Sequence, residues 1–184
     1  NILFAPRYWE IKIFEKQEVE NSVFHIGADP ALVGMIMRPD EVPRDTLANI
    51  KNNGFYTINH VGIGIFQQAH QASARYNAQE SEFEKVGLTP EYHQGVSAPF
   101  VAESQLKFAV AMREIIPLSI NNTILVIGEI CHLYCMPDAI KADGYIDIES
   151  LETVTVSGLD CYHITRRLAR LSYAKPDKEL HCLT

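Results

Sequence analysis

The stretch Leu106-Lys107-Phe108-Ala109-Val110-Ala111-Met112-Arg113 sets the fold class. Leu106, Phe108, Val110 and Met112 alternate with Lys107, Ala109, Ala111 and Arg113, the period of two that a strand with one buried and one outer face requires. Beyond it, Asn121-Asn122 is a turn signal, and Thr123 to Leu133 can return as the antiparallel partner. Working back towards the start, Phe55 to His60 is a strand by composition and Leu32 to Met37 suits a buried strand. Val23 to Ile26 is strand-like and runs into the turn cluster Gly27-Ala28-Asp29-Pro30. Tyr8 to Phe14 alternates well enough for one further strand, and Glu15 to Glu20 is charged and solvated.

Helices are short insertions in this pattern. Asp45 or Thr46 caps a helix from Thr46 to Lys51 that stops at Asn53-Gly54. Gln67 to Ala78, rich in Ala and Gln, predicts a second helix. Ser81 and Glu84 have capping-box spacing for a third, which Gly87 ends. Downstream, Asp143-Gly144 marks a turn and Leu151 to Val156 is a short strand or a turn-rich connection. Arg166 to Tyr173 reads as a short helix. Because no long crossover helix follows each strand, a doubly wound parallel sheet is disfavoured. The expectation is one domain over 1–184, mainly β with short helical insertions, built as a small antiparallel barrel. Residues 1–21 form an irregular or truncated start and 175–184 a tail.

Composition narrows the function classes. With 47% hydrophobic and 21% charged residues, the 184-residue chain can bury a sizeable core. Its 16 basic residues stand against 23 acidic ones, a formal charge of −7, which argues against nucleic acid as a partner. Four cysteines are too few for a disulfide-dense secreted framework. No basic-then-apolar leader opens the chain, and no apolar run nears the about 20 residues that span a bilayer. A soluble, reduced, cytoplasmic protein with no membrane partner is therefore expected. Asn1 stands where an initiator methionine would, which reads as a fragment or an incomplete start.

Chemistry concentrates between Met35 and Ile58. A strand ends in Arg38, a proline-braced loop carries Arg44, and Thr46 opens a helix. Free N–H groups at a helix start, a hydroxyl and guanidinium groups together form an anion site suited to phosphate. The competing reading has Thr46 as a cap and both arginines solvated. Elsewhere, Cys131-His132 with Cys135 is half of a metal site, but structural zinc takes four ligands, and packed thiols with no metal are expected. Glu82 and Glu103 are a possible acidic pair, with Glu82 better read as a first-turn helix residue. Arg166, Arg167 and Arg170 form a basic patch, read as a solvated helix face before a seat for a nicotinamide donor's phosphate or a partner's acids. Tyr162 and Tyr173 flank it, and a dimer interface is one place for them.

Taken in order, several segments resemble one family. Phe24-His25-Ile26-Gly27-Ala28-Asp29-Pro30-Ala31-Leu32, then Arg38-Pro39 and Pro43-Arg44-Asp45-Thr46-Leu47-Ala48-Asn49-Ile50, then Gly54-Phe55-Tyr56-Thr57-Ile58-Asn59 carry the first part. His70 to Tyr76, Ser81-Glu82-Phe83-Glu84 with Gly87-Leu88, and Ala98 to Ser104 continue it. Ile127-Gly128-Glu129-Ile130 and Gly158 to Tyr162 complete it. This run, from Ser22 to Ala174, is similar to the flavin reductase-like, FMN-binding split-barrel proteins.

The resemblance implies a Greek-key split barrel, a homodimer, and FMN held near the subunit interface. It assigns the isoalloxazine flank to Ser22, Val23 and Phe24, and the phosphate to Thr46 and Arg38, with Arg44 as a neighbour. It places His60, His70, Ser73 and Ala74 in an insertion that closes over the flavin. NAD(P)H would serve as electron donor and free flavin or another small molecule as acceptor, with no catalytic acid-base residue assigned. Alternatives are an FMN electron carrier without a pyridine-nucleotide site, and a barrel that has lost flavin and serves as a structural dimer. Glu18 and Glu20 stand where the family has apolar or small residues, so the first hairpin is either missing or diverged.

Overall fold

A computed structural model of the chain describes residues 11–12, 23–37, 45–74, 76 and 80–183. In chain order the elements are β1 (Ile11–Lys12), β2 (Val23–Ala28), β3 (Ala31–Met37), α1 (Asp45–Asn53), β4 (Phe55–His60), α2 (Phe66–Gln71) and α3 (Glu82–Val86). They continue with β5 (Pro90–Glu91), β6 (Phe100–Val101), β7 (Leu106–Leu118), β8 (Thr123–Cys135), β9 (Val154–Ser157), β10 (Cys161–Ile164), β11 (Arg170–Leu171) and β12 (Cys182–Leu183). Six strands form one antiparallel sheet in the order β1-β4-β7-β8-β3-β2. Mainly β with few short helices around one antiparallel sheet, this is the fold class expected from the strand pattern, and it accords with the split barrel that the resemblance implies.

The long hairpin β7–β8 is the spine of that sheet. Its turn passes through Asn122, which adopts a left-handed φ of 58°. Strand β3 pairs with β8 from Leu32↔Glu129 to Met37↔Ile124, and β4 pairs with β7 from Phe55↔Ala111 to Asn59↔Lys107. One face of the sheet gathers Val33, Met35, Met37, Tyr56, Ile58, Phe108, Val110 and Val126, over which α1 packs Leu47 and Ile50. These are the apolar positions of the alternating strands, so the inner core follows from the period of two. Gly128 lies on this inner face, where an added Cβ would sit 2.4 Å from Val110 Cγ1 and 2.5 Å from Tyr56 Oη.

The opposite face departs from the alternation rule. Lys107, Ala109 and Ala111, expected to face solvent, are all buried. The reason is a cover supplied by residues 89–104. Thr57 Oγ1 donates to the Pro99 carbonyl at 2.6 Å, the Val101 N–H donates to Asn59 Oδ1 at 3.0 Å, and Ser104 Oγ donates to the His60 carbonyl at 2.9 Å. Val96 and Phe100 of the cover pack on Ala109 and Tyr134 of the sheet. A further cluster joins α2 and α3 to β6 and β9 through Ile65, Ala69, Phe83, Val101 and Val154.

Two helix expectations are corrected. α2 ends at Gln71, well short of Ala78, with its C-terminal N–H groups turning back onto Gln68 and His70 carbonyls. Residues 166–173 are not helical, and only Arg170–Leu171 is regular, as a strand paired with Cys182–Leu183. Here the guanidiniums of Arg167 and Arg170 are drawn to Asp147, Glu149 and Asp143, contacts that override local helix preference. α3 occupies its expected span, ending at Gly87 with φ 71°, although the Ser81 side chain makes no capping hydrogen bond. The expected tail folds back on itself, since β12 returns to β11. Of the strand expected over Tyr8–Phe14, Ile11–Lys12 is described and pairs with His60 and Asn59, while the rest lies outside the described residues.

Candidate functional site

Strand β2 is an edge strand, and its residues divide cleanly. Val23 turns inward and packs against the main core that also holds Leu47 and Ile50 of α1. Phe24 and Ile26 point outward and stay 42% and 40% exposed. Phe24 pairs with Gly34, and a Cβ on Gly34 would meet the tip of the Phe24 ring at 2.6 Å. Glycine at 34 thus lets the ring lie down against the sheet, forming a flat apolar shelf at its rim. An isolated Gly within the apolar run Leu32 to Met37 was the sequence signal for such a close approach.

α1 follows β3 in the chain and packs Leu47 and Ile50 into the same core as Met35 and Met37. Thr46 sits in its opening turn and is buried, 5% exposed, while Gly54 with φ 71° lets the chain turn directly into β4. The first turn of this nine-residue helix holds Thr46, the residue that the sequence reading assigns to an anion. Ser22, Arg38 and Arg44, also assigned to this region by the sequence, lie outside the described residues.

The remaining candidates lie across the sheet. His60 ends β4, and β7, β8 and β3 stand between that strand and β2. It is buried, its ring lies 5.7 Å from that of Phe108, and burial lowers its pKa from the ordinary 6.5 to about 4. A neutral imidazole in that position cannot supply a charge at neutral pH. It borders a cavity of about 90 Å³ with Gly62, Gly64, Glu103, Gln105 and Glu152. Ser73 and Ala74 follow α2, their N–H groups donating to the His70 and Gln71 carbonyls. His70 itself meets Tyr162, with Nδ1 and Oη 3.1 Å apart and the rings edge to face. The structure therefore brings Val23 and α1 into one core, and sets His60 apart from them on another strand of the sheet.

Other titratable groups have structural partners. Glu103 accepts the Thr89 N–H with both carboxylate oxygens, at 3.0 and 3.2 Å. Glu82 is buried in the first turn of α3. Lys107, nearly buried, donates to Glu91 and, at 3.1 Å, to the Val101 carbonyl, and its ammonium holds the Glu91 carboxyl below the usual range. Cys135 packs at the core edge, where burial raises its thiol pKa, whereas Cys131 is exposed. The Tyr162 ring lies tilted against that of Phe66, and Tyr173 is exposed. A second cavity, of about 350 Å³, opens between the β2–β3 turn and β8, lined by His25, Leu32, Phe108, Cys131, His132 and Leu133 among others. Sequence reasoning missed this cavity and the Lys107–Glu91 pair, because each is made by segments remote in sequence.

The β2–β3–α1 unit with its apolar rim shelf lies inside the stretch of chain that a known family accounts for. Residues 19–150 match the family described as flavin reductase like domain, and the chain belongs to that family. Among solved structures it is similar to a candidate flavin reductase with a split barrel domain from Shewanella frigidimarina, at 48% identity and a TM-score of 0.84, covering 91% of this chain and 87% of that one. Its fold is also like flavoredoxin of Desulfovibrio vulgaris, with a TM-score of 0.70 at 19% identity over 96% and 97% of the two chains. An uncharacterized protein of Halalkalibacterium halodurans is 30% identical over 136 residues, 71% of this chain but only 65% of that protein's own length. Among the described residues no helix is long and apolar enough to cross a membrane.

Proposed function

We propose that the chain binds FMN and acts as a flavin reductase-type oxidoreductase with NAD(P)H as electron donor, working as a homodimer in the cytoplasm. The observation that carries this reading is that the family match covers the whole β2–β3–α1 unit, the segment that holds both the apolar shelf and the buried Thr46. When bound, the flavin supplies the hydride-accepting ring, and the protein's own task is binding and orientation. The Phe24 side chain and the backbone of Val23, with Ser22 preceding them, flank the ring. Thr46 in the first turn of α1, with Arg38 and Arg44, neutralises the phosphate. The shelf fits a planar aromatic ring because Gly34 keeps the Phe24 face flat against the sheet.

The test is an absorbance spectrum followed by FMN titration. Purified protein takes up FMN and turns yellow, and NAD(P)H bleaches it. Arg38→Ala weakens FMN binding by about 1.5–3 kcal/mol, the worth of a charge-assisted hydrogen bond. A protein that stays colourless with added FMN would overturn the reading. The likeness to flavoredoxin supports a second reading, an FMN electron carrier. Stopped-flow reduction separates them, since a carrier is bleached by dithionite or a protein donor but not by NAD(P)H.

A further inference from the structure

None of the described residues lining the larger cavity, of about 350 Å³, is assigned to the flavin. The cavity lies where the sheet comes apart. β3 pairs with β8 no further than Leu32↔Glu129, and among the described residues no strand takes the edge of β8 beyond that pair. A bulge stands on either side of the gap. In β2 the register with β3 shifts between His25 and Gly27. In β8, Ile130 faces Val110 while His132 faces Ala109, so Cys131 is the extra residue.

The bulge in β8 decides what lines the floor. Strict alternation after Ile130 would turn His132 inward. The extra residue instead returns Leu133 to the inner face opposite Phe108, and Ile130 and Leu133 both rest against the main core. The floor is therefore apolar, with Leu32 beside Phe108, Ile130 and Leu133. Imidazoles come one from each wall, His25 of β2 and His132 of β8, while the Cys131 thiol is turned to the Glu129 carbonyl at 3.5 Å. Among the described residues no lysine, arginine, aspartate or glutamate lines the cavity.

Those contents select a ligand. A cavity of about 150 Å³ holds benzene, so this one has room for one or two rings with a substituent. A phosphate or carboxylate would enter with no opposite charge to meet it and would lose its hydration. A carbonyl oxygen escapes that penalty, because an imidazole N–H can donate to it. We infer that this pocket seats an uncharged aromatic compound of one or two rings carrying a carbonyl group, its ring on Phe108, Ile130 and Leu133 and its oxygen at His132. The inference does not depend on the flavin reading.

Equilibrium dialysis of the full chain tests it with two probes of one shape, 2-acetylnaphthalene and the 2-naphthoate anion. The ketone binds, and the anion binds about tenfold or more weakly, as an unpaired charge in an apolar seat requires. His132→Phe keeps a ring but removes the N–H, and weakens the ketone about fivefold, the worth of one neutral hydrogen bond. Ala31→Phe adds a ring to the cavity lining and abolishes binding. Circular dichroism checks the fold of both, and because His132 is exposed that variant carries the test if Ala31→Phe fails to fold. No ketone bound at about 1 mM, an anion bound as tightly as the ketone, or either folded variant within about twofold of wild type would each overturn the inference. FMN titration of the same samples reads the flavin assignment separately, so either can fail alone.

Discussion

The outer face of the central sheet has two halves that started from similar strands and ended in different environments. Over β4 and β7, residues 89–104 lie on the sheet and bury Thr57, Asn59, Lys107 and Ala109. Over β3 and β2, none of the described residues forms such a cover, and Phe24 and Ile26 remain exposed. The covered half carries polar side chains and the open half apolar ones. That inversion has a physical cause. A covering loop brings unpaired backbone N–H and C=O groups onto the sheet, and buried polar groups must be paired. Asn59, Thr57, Ser104 and Lys107 are the partners those groups need. An open apolar half needs no such partners, and is suited to another surface that brings its own paired backbone, or to a planar ligand.

Acid should give the largest effect on stability, through a ring on the inner face of the strand that carries the covered half. His60, whose carbonyl anchors Ser104, titrates near 6.5 in the unfolded chain and at about 4 in the fold, because burial disfavours its charged form. Between those values the unfolded state takes up a proton that the fold refuses. Stability is therefore full above pH 6.5 and falls by up to about 3 kcal/mol as pH drops towards 4. Urea unfolding across pH 7 to 4 reads this slope, and His60→Gln should flatten it. Next in size, Asn59→Ala leaves the Val101 N–H buried without its acceptor and costs about 2–3 kcal/mol in the same assay. A loss below about 0.5 kcal/mol would show that the cover does not depend on that bond.

Two glycines give a finer contrast. Gly128→Ala forces a methyl against Val110 and Tyr56 inside the core, an overpacking worth about 1–2 kcal/mol. Gly34→Ala meets an equally close neighbour, but that neighbour is the tip of the half-exposed Phe24 ring, which can swing into solvent. Its effect on stability should stay within about 0.5 kcal/mol. The readout there is different. With the ring lifted from the sheet, the shelf is lost, and FMN affinity should fall in titration although thermal unfolding hardly moves.

Much of this architecture can be read from residue order, because it is made locally. The period of two in Leu106 to Met112 and the Asn121-Asn122 turn locate β7 and β8, and Asp45 to Gly54 announces α1 with both of its ends. The covered half could not be read in that way. Lys107 occupies a position the alternation assigns to solvent, and only a segment folding over from elsewhere buries it. The same holds for Arg166 to Tyr173, whose helical composition yields to carboxylates near residues 143–149. At the candidate site, Thr46 could be read as the start of α1, whereas Phe24 entered only through the family resemblance. For the seat of the Phe24 ring, the lone Gly34 in an apolar run signals a close approach, but which residue approaches is set by cross-strand pairing.

The bonds that hold the cover also set a sequence of events in time. Thr57 to Pro99 and Asn59 to Val101 each join positions 42 apart, whereas β7 and β8 meet across a tight hairpin. At a synthesis rate of about 5–20 residues per second, Thr57 and Asn59 leave the ribosome roughly 2–8 s before the groups that satisfy them. Nascent β4 thus passes through a stage with its outward side bare, a transient form of the condition that β2 retains in the finished molecule.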